Sequence, residues 1–465
     1  MQPDQFLEFI ETGLITPARM RVVDTNAMAL GVTDLQMMES AGRALAEQVL
    51  TYNPDCVLVL CGNGNNGGDG MVAARYLQRG VDTHVCFFDL GKRSNACGHN
   101  LAALRHAAVG LHPFRCREDL EALAPLFGNA GVIVDALLGT GSRGAAREPL
   151  ATCIRMANAA KAKIIAADIP TPGMRADRVC AFHRAKTEGA TVVDIGIPLE
   201  AECTVGPGDL TLLPARGKKA HKGVGGEVLV IGGGPYQGAP YLAGLGALRS
   251  GADIVRIAST VFEPVPDLIF ERLEGKRIGP EHTERLIALA KKADVVVCGN
   301  GLGTESHAVV EAIAPHCKKA VFDADALRLP LPVAHGETIY TPHAGEFARI
   351  TGVTLPDDII GRARAVRQAG IAGTVIVKGH TDIITDGSRV RFNRTGDPAM
   401  TVGGTGDVLA GICGALLCQL PAFEAACIAA YVNGRAGEVV AARQGGGMLA
   451  SDLVNEIPKI LFQKR

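Results

Sequence analysis

Three acidic residues and two glycine-rich segments carry the residue types that could do chemistry. Asp135 directly follows the apolar run Gly131 to Val134, and Asp168 directly follows Lys163 to Ala167. After a third run, Cys56 to Leu60, comes Cys61-Gly62-Asn63-Gly64-Asn65-Asn66-Gly67-Gly68-Asp69-Gly70, then a helical pattern through Ala73, Ala74 and Leu77. Such a turn lets backbone amides approach a phosphate closely, and a helix start favours the negative charge. Near the other end, Met400-Thr401-Val402-Gly403-Gly404-Thr405-Gly406-Asp407 leads into the apolar stretch Val408 to Leu417. Amides at Gly404, Thr405 and Gly406 suit developing negative charge, and Asp407 at a helix start can take a hydroxyl proton as that hydroxyl attacks a phosphoryl group. The G-x-x-x-x-G-K-[ST] loop of a P-loop kinase is absent.

Plainer readings stand beside these. Gly62, Gly64 and Gly67 satisfy G-x-G-x-x-G, with Asp89 at the end of the next apolar run, as in a dinucleotide-binding unit. That reading leaves Asn65, Asn66 and Asp69 without a task. Asp69 and Asp407 can also serve as ordinary helix N-caps beside tight glycine turns.

The elements that must position these residues are short apolar runs bounded by glycine and alternating with helical patterns, which predict parallel sheets with crossover helices. Strands are predicted at Cys56 to Leu60, Val81 to Phe88, Gly131 to Val134, Lys163 to Ala167 and Thr191 to Ile195. A second series runs through Glu227 to Ile231, Ile254 to Ala258, Val295 to Cys298, Ala320 to Phe322, Thr338 to Tyr340 and Val375 to Val377. Pro214 to Gly226, with Arg216, Lys218, Lys219, His221 and Lys222, reads as the linker between two α/β domains. Ligands of open parallel sheets bind beyond the carboxyl ends of the strands, so Asp135, Asp168 and the first glycine segment line one crevice. In the second half Gly299 to Gly303, Asp323 to Leu327, Thr341 to Phe347 and Lys378 to Asp382 follow strand ends in the same way.

Composition narrows the ligand class. Lys and Arg number 47 against 48 Asp and Glu, aromatics are 4% and Trp is absent, so neither nucleic acid nor an acidic membrane is an expected partner. Small molecules are. The 57 glycines gather in turns, and the 13 cysteines form no C-x-x-C pair, which predicts buried thiols in a reducing cytosol over a metal site or disulfides. Acidic Asp4, Glu8 and Glu11 precede any basic residue, unlike a secretory signal, and the longest apolar run, Leu409 to Cys418, falls short of a bilayer span. A cytoplasmic protein is expected.

The first half resembles the NAD(P)H-hydrate epimerase family across residues 15–213. The resemblance rests on Asp24 to Glu39 with Met38-Glu39-Ser40-Ala41-Gly42, the Asn65 to Gly70 motif, Asp135 to Gly141, Asp168-Ile169-Pro170, Phe182-His183 with Lys186, and Asp194 to Pro198. It implies that Asn65, Asn66, Gly67, Gly68 and Asp69 hold a hydrated nicotinamide nucleotide together with the loop Gly139, Thr140, Gly141, Ser142, Arg143, Gly144 and Ala145. It implies Asp168 as the catalytic residue beside the reacting ring, and a potassium ion near Asn66, Asp135 and Thr171. Pro170-Thr171-Pro172-Gly173 departs from the family's Pro-Ser-Gly: Thr171 keeps a hydroxyl and a carbonyl, while the inserted proline changes the turn.

Residues 217–463 are similar to the ribokinase-like NAD(P)H-hydrate dehydratase family, through His221-Lys222-Gly223, the Gly232 to Gly238 turn with Ala239, Ala247 to Gly251, the strand-end loops above and the Gly403 to Asp407 motif. The resemblance implies hydrate contacts from Ala239, Gly301, Gly303, His343 and Asp407, with Asp407 the base. It implies an adenine nucleotide, ADP or ATP with Mg²⁺, at Lys378, Gly379, His380, Thr381 and Asp382 and at Gly404, Thr405 and Gly406. The expected architecture is a Rossmann-like three-layer sandwich over residues 1–213 followed by a ribokinase-like α/β domain over 217–465, assembled as a homo-oligomer. The expected function is repair of NADHX and NADPHX: epimerisation of the R and S hydrates at C6, then nucleotide-dependent dehydration of the S form. The alternative is a small-molecule kinase fused to a non-catalytic nucleotide-binding module.

Overall fold

The computed structural model describes residues 6–141, 144–215, 223 and 225–462. Ser142, Arg143 and Arg216, Lys218, Lys219, His221 and Lys222 of the expected linker lie outside the described residues. The chain forms two compact units, one of Thr12–Pro198 and one that joins Met1–Glu11 to Leu199–Arg465.

In the first unit seven strands form a parallel sheet: β1 (Cys56–Cys61), β2 (Asp82–Phe88), β3 (Gly110–Phe114), β4 (Val132–Ala136), β5 (Lys163–Ala167), β6 (Arg178–Phe182) and β7 (Thr191–Val193). Their order is β3-β2-β1-β4-β5-β6-β7, the doubly wound Rossmann arrangement with its reversal between β1 and β4. The β1 and β4 side chains are almost wholly buried, as a parallel sheet covered on both faces requires. Asp135 does not follow β4 but lies within it, paired with Leu60 and Ala166. The motif expected as a turn is also mostly helix: Asn65–Leu77 is helical, with Gly64 at its N-cap. A side chain at Gly67 would run into the Gly62 carbonyl, so that glycine lets the helix start sit on the β1 loop.

Among the described residues the second unit holds nine strands: β8 (Glu227–Ile231), β9 (Ile254–Ser259), β10 (Ile269–Arg272), β11 (Val295–Cys298), β12 (Ala320–Phe322), β13 (Thr338–Tyr340), β14 (Thr374–Val377), β15 (Asp382–Thr385) and β16 (Val390–Asn393). The order is β10-β9-β8-β11-β12-β13-β14-β15-β16, parallel as far as β14 and antiparallel through the β14, β15 and β16 meander. The apolar stretch near the C-terminus becomes the buried helix Thr405–Leu417, packed with Ala422–Gln444 into the core. Among the described residues, no helix is long and apolar enough to cross a membrane.

The division between units falls at Pro198, earlier than the expected 213, and residues before Thr12 belong with the second unit. Burial of the β16 edge explains both. Val205 N–H donates to the Phe392 carbonyl at 2.9 Å, and Asp209 pairs with buried Arg391 at 3.2 Å. Phe6 and Phe9 meet the Phe392 ring edge-on with centroids 5.3 and 5.4 Å away, while Glu8 binds Arg364 and Arg367.

Candidate active sites

At the carboxyl end of the first sheet a cavity of about 660 Å³ is lined by Asn65, Asn66 and Asp69 of the first helical turns, Gly139, Thr140 and Gly141 of the β4 loop, Asp168 after β5, and Lys186. Asp24, from the helix Pro17–Ala29, lines it as well. Asp168 takes φ +65°, a left-handed conformation rare outside glycine and tolerated best by Asp and Asn. Its Oδ1 accepts from Lys186 Nζ at 2.6 Å and from the Phe182 amide at 3.2 Å. The Lys186 side chain is only 4% exposed, so its charge is spent inside the site.

Two further carboxyls face that single ammonium. Burial, reinforced by Asp168 and opposed by Lys186, holds the Asp69 carboxyl well above the usual carboxylate range. Burial pushes Asp24 up to about 6, against Lys186 and with Asp168. Asp24 and Asp69 are thus both held above the ordinary carboxylate range beside Asp168 and Lys186.

Asp135, fully buried, accepts the Thr171 amide and the Thr171 hydroxyl, each at 2.7 Å, and the Leu137 amide at 3.3 Å. Burial raises its pKa and the Thr171 hydrogen bonds pull it down. Asn66 Nδ2 donates to the Leu138 carbonyl at 3.3 Å, which also receives the Thr171 hydroxyl at 3.4 Å. Asn66, Asp135 and Thr171 are thus brought together around Leu138, with carboxylate, carboxamide, hydroxyl and carbonyl oxygens. Gly67 and Gly68 do not line the cavity; Gly68 is pressed against Met38 and Cys97. Gly144 and Ala145 are exposed and do not line it either. Asp89 is held by Arg93 and Arg115, which leaves it no free carboxylate for a ribose and removes the support for the simple dinucleotide fingerprint.

In the second unit successive strand ends converge on one buried carboxylate. Asp323, after β12, accepts from Asn300 after β11 at 3.0 Å, from the Thr341 hydroxyl after β13 at 2.7 Å, and from Lys378 after β14 at 2.9 Å. Asn300 Nδ2 also donates to Asp407 Oδ1 at 2.7 Å. Asp407 lies in the first turn of Thr405–Leu417, whose N-cap Gly404 has φ +100° and no room for a side chain against Leu242 and Ala450. Gly404 therefore takes the N-cap and Asp407 does not. Burial, reinforced by Asp323 and opposed by Asn300 and Lys378, pushes the Asp407 carboxyl up to about 6. Burial also works against the charge of Lys378, but Asp323 and Glu346 outweigh it and raise its pKa.

The remaining expected residues flank this cluster. Ala239 opens the helix Ala239–Arg249, and a side chain at Gly301 would reach it, so these two approach closely; Gly303 N–H donates to Asp325 at 2.9 Å. His343 caps the helix Ala344–Thr351: its Nδ1 accepts the Gly345 and Glu346 amides at 3.0 and 3.2 Å, which puts the ring proton on exposed Nε2. Lys378 borders Gly406, joining the two expected nucleotide segments. Gly379 and His380 are exposed and Thr381 is half-buried in the turn that Asp382 closes, accepting Gly379 N–H and Asn393 Nδ2 at 2.9 Å each. Burial holds Asp382 at about 6. Thr405 is fixed by its hydroxyl to the Met400 carbonyl at 3.0 Å.

Asn300, Asp323, Thr341 and Asp24 received no role from sequence reasoning. The available signal was position: the first three come directly or within two residues after a parallel strand.

Two such centres on doubly wound sheets make the chain a two-centre α/β enzyme. A family model described as NAD(P)H-hydrate dehydratase matches residues 228–459, and one described as YjeF-related protein N-terminus matches residues 34–201. The chain is 56% identical to a Methanospirillum hungatei protein named bifunctional NAD(P)H-hydrate repair enzyme Nnr, over 99% of this chain and 96% of that one. It is 41% identical to the Archaeoglobus fulgidus protein of the same name, over 97% and 98%. Among solved structures, the ADP/ATP-dependent NAD(P)H-hydrate dehydratase of Bacillus subtilis co-crystallized with ATP/Mg²⁺ is 26% identical, covering 54% of this chain and 95% of that one, with a TM-score of 0.46. The chain belongs to the family of bifunctional NAD(P)H-hydrate repair enzymes.

Proposed function

We propose that the Thr12–Pro198 unit exchanges the R and S epimers of NADHX and NADPHX at C6, and that the second unit dehydrates the S epimer with ADP or ATP. The observation that carries the second half is Asp407, held by Asn300 at a glycine-led helix start with Lys378 beside Gly406. A C6 hydroxyl leaves poorly as hydroxide. Asp407 takes its proton as the oxygen attacks the terminal phosphoryl group; phosphate then leaves, pushed out by the ring nitrogen, the resulting iminium loses a C5 proton to restore the C5–C6 double bond, and NAD(P)H, inorganic phosphate, a proton and the shortened nucleotide result. Amides of Gly404, Thr405 and Gly406 and the Lys378 ammonium meet the charge on the transferring group. Ala239, Gly301, Gly303 and His343 Nε2–H hold the hydrate, and Lys378 to Asp382 hold the adenine nucleotide.

In the first unit Asp168 is the residue beside the reacting ring, Lys186 fixes it, and the Asn65 to Asp69 helix start with the Gly139 to Gly141 loop holds the nucleotide. Asn66, Asp135 and Thr171 would hold K⁺, which an all-oxygen donor set suits and whose positive charge would offset the buried carboxylate. In the second unit Asn300 Nδ2 donates to Asp323 and Asp407, while its buried Oδ1 has no hydrogen-bond partner; carboxylate and carboxamide oxygens are the kind Mg²⁺ selects, and the ion would neutralise nucleotide charge there. The enzyme works in the cytoplasm as a homo-oligomer.

Asp168→Asn and Asp407→Asn in the full chain test the assignment. With mixed hydrate epimers, Asp407→Asn should lose nucleotide-dependent recovery of dihydronicotinamide absorbance by about 10²- to 10⁴-fold while epimer exchange continues. Asp168→Asn should do the reverse. Loss of both activities in either folded variant, or a stable phosphorylated product, would overturn the reading.

A further inference from the structure

Both sites occupy carboxyl ends of strands. At the opposite, amino end of the first sheet, Cys56 Sγ, a carboxylate oxygen of Asp82 and a ring nitrogen of His84 lie within 4.8 Å of one another. Cys56 and Asp82 open β1 and β2 and are register partners; Asp82 and His84 are two apart and share a face of the sheet. His84 Nε2 lies 3.3 Å from Asp82 Oδ2, and His84 Nδ1 lies 3.1 Å from Nε2 of His112 on β3. Gly110, the β3 partner of His84, makes this possible, since any side chain there would collide with both imidazoles.

We propose that Cys56, Asp82 and His84 form a binding site for a divalent transition-metal ion, of which Zn²⁺ fits the donors best. One sulfur, one imidazole nitrogen and one carboxylate oxygen suit zinc, whereas Mg²⁺ and Ca²⁺ select oxygen alone. Zinc bond lengths put tetrahedral ligands roughly 3.3 to 3.7 Å apart, the spacing His84 and Asp82 already have. The thiol closes the remainder by side-chain rotation at a partly exposed strand start.

The imidazole pair supplies the outer support such a ligand needs. With Nε2 on the metal, His84 carries its proton on Nδ1 and donates it to His112. His112 Nε2 stands 3.1 Å away as the acceptor. A cysteine thiol ordinarily carries its proton at neutral pH. Binding therefore breaks the S–H bond, forms a sulfur–metal bond and releases one proton to solvent without a change of oxidation state. Water takes the fourth position. The ion clips β1 to β2 away from the substrate cavity, so it acts on stability.

Co²⁺, added to the full chain, is the spectroscopic probe. One equivalent should give a thiolate-to-cobalt charge-transfer band that Zn²⁺ bleaches. Cys56→Ser should abolish the band, and Cys116→Ser, at the exposed thiol, should leave it. His112→Ala should weaken binding about 10- to 100-fold through the lost support. Zn²⁺ should raise the melting temperature of the wild type and not that of Cys56→Ser or Asp82→Asn. No band at saturating Co²⁺, or a band that survives Cys56→Ser, would overturn the proposal.

Discussion

The two sites solve one electrostatic problem differently. In the first unit the lone ammonium touches Asp168 itself, and Asp24 and Asp69 are left to share what remains of its field. In the second, Lys378 binds the buried Asp323, while Asp407 is hydrogen-bonded by Asn300 and meets the Lys378 charge through its field. A cation in direct contact fixes a carboxylate in place and leaves protons on its neighbours. A cation without a direct contact leaves the Asp407 carboxyl near 6, where it exchanges a proton close to neutrality.

Removing the direct cation should have the largest effect. Lys186→Met leaves buried carboxyls uncompensated and should destabilise the first unit by about 3 to 5 kcal/mol near neutral pH. Lys186 lowers the pKa of Asp24 and Asp69, so its loss raises both further. The folded state then binds more protons than the unfolded one above about pH 4, and stability returns as pH falls. Urea unfolding near pH 7 and near pH 5 would reveal it; equal losses at both would contradict the shared-cation account.

The intermediary in the second site can be removed alone. Dehydration in the wild type should fall away below about pH 6 as Asp407 protonates. Asn300 lowers that pKa by donating to the ionised form. Asn300→Ala should therefore move the acidic limb of the dehydration profile upward by about 1 to 2 pH units, as a charged hydrogen bond worth roughly 1.5 to 3 kcal/mol requires. The pH profile of epimer exchange should not move. An unshifted limb would mean that Asn300 holds Asp323 only.

The smallest effect is expected away from both sites. Glu8→Gln gives up ion pairs with half-exposed Arg364 and with Arg367, and should cost the second unit less than about 1 kcal/mol, less still in high salt. A change in the unfolding of the first unit would contradict its assignment to the second.

Short apolar runs between helical patterns were legible: Lys163–Ala167, Glu227–Ile231, Val295–Cys298, Ala320–Phe322 and Thr338–Tyr340 have the bounds predicted. Of the strands not predicted, β3, β10 and β16 lack that signal, whereas β6 (Arg178–Phe182) and β15 (Asp382–Thr385) carry apolar runs of the same kind. β3 carries Pro113, and β10 and β16 interleave charged or polar residues with apolar ones at sheet edges. Asp407, Asp168 and the glycine segments stood out because residue type and strand-end position coincided. Asn300 and Thr341 did not, since a single amide or hydroxyl after a strand is common, and only the folded sheet brings both to Asp323. The Cys56, Asp82 and His84 group was invisible for the same reason: its cysteine and its histidine come from neighbouring strands.

Phe6 and Phe9 have one further consequence. Translation proceeds from the amino end, so these rings leave the ribosome first, while Phe392, against which they pack, is made last of the three. At about 5 to 20 residues per second, tens of seconds separate the two events. Thr12–Pro198 has its whole sequence available during that interval, yet the segment before it has nothing to close upon. Splitting the gene between the two activities would therefore not yield two intact halves: the downstream piece would be born with an uncovered aromatic patch, and the upstream one would carry its lost cover.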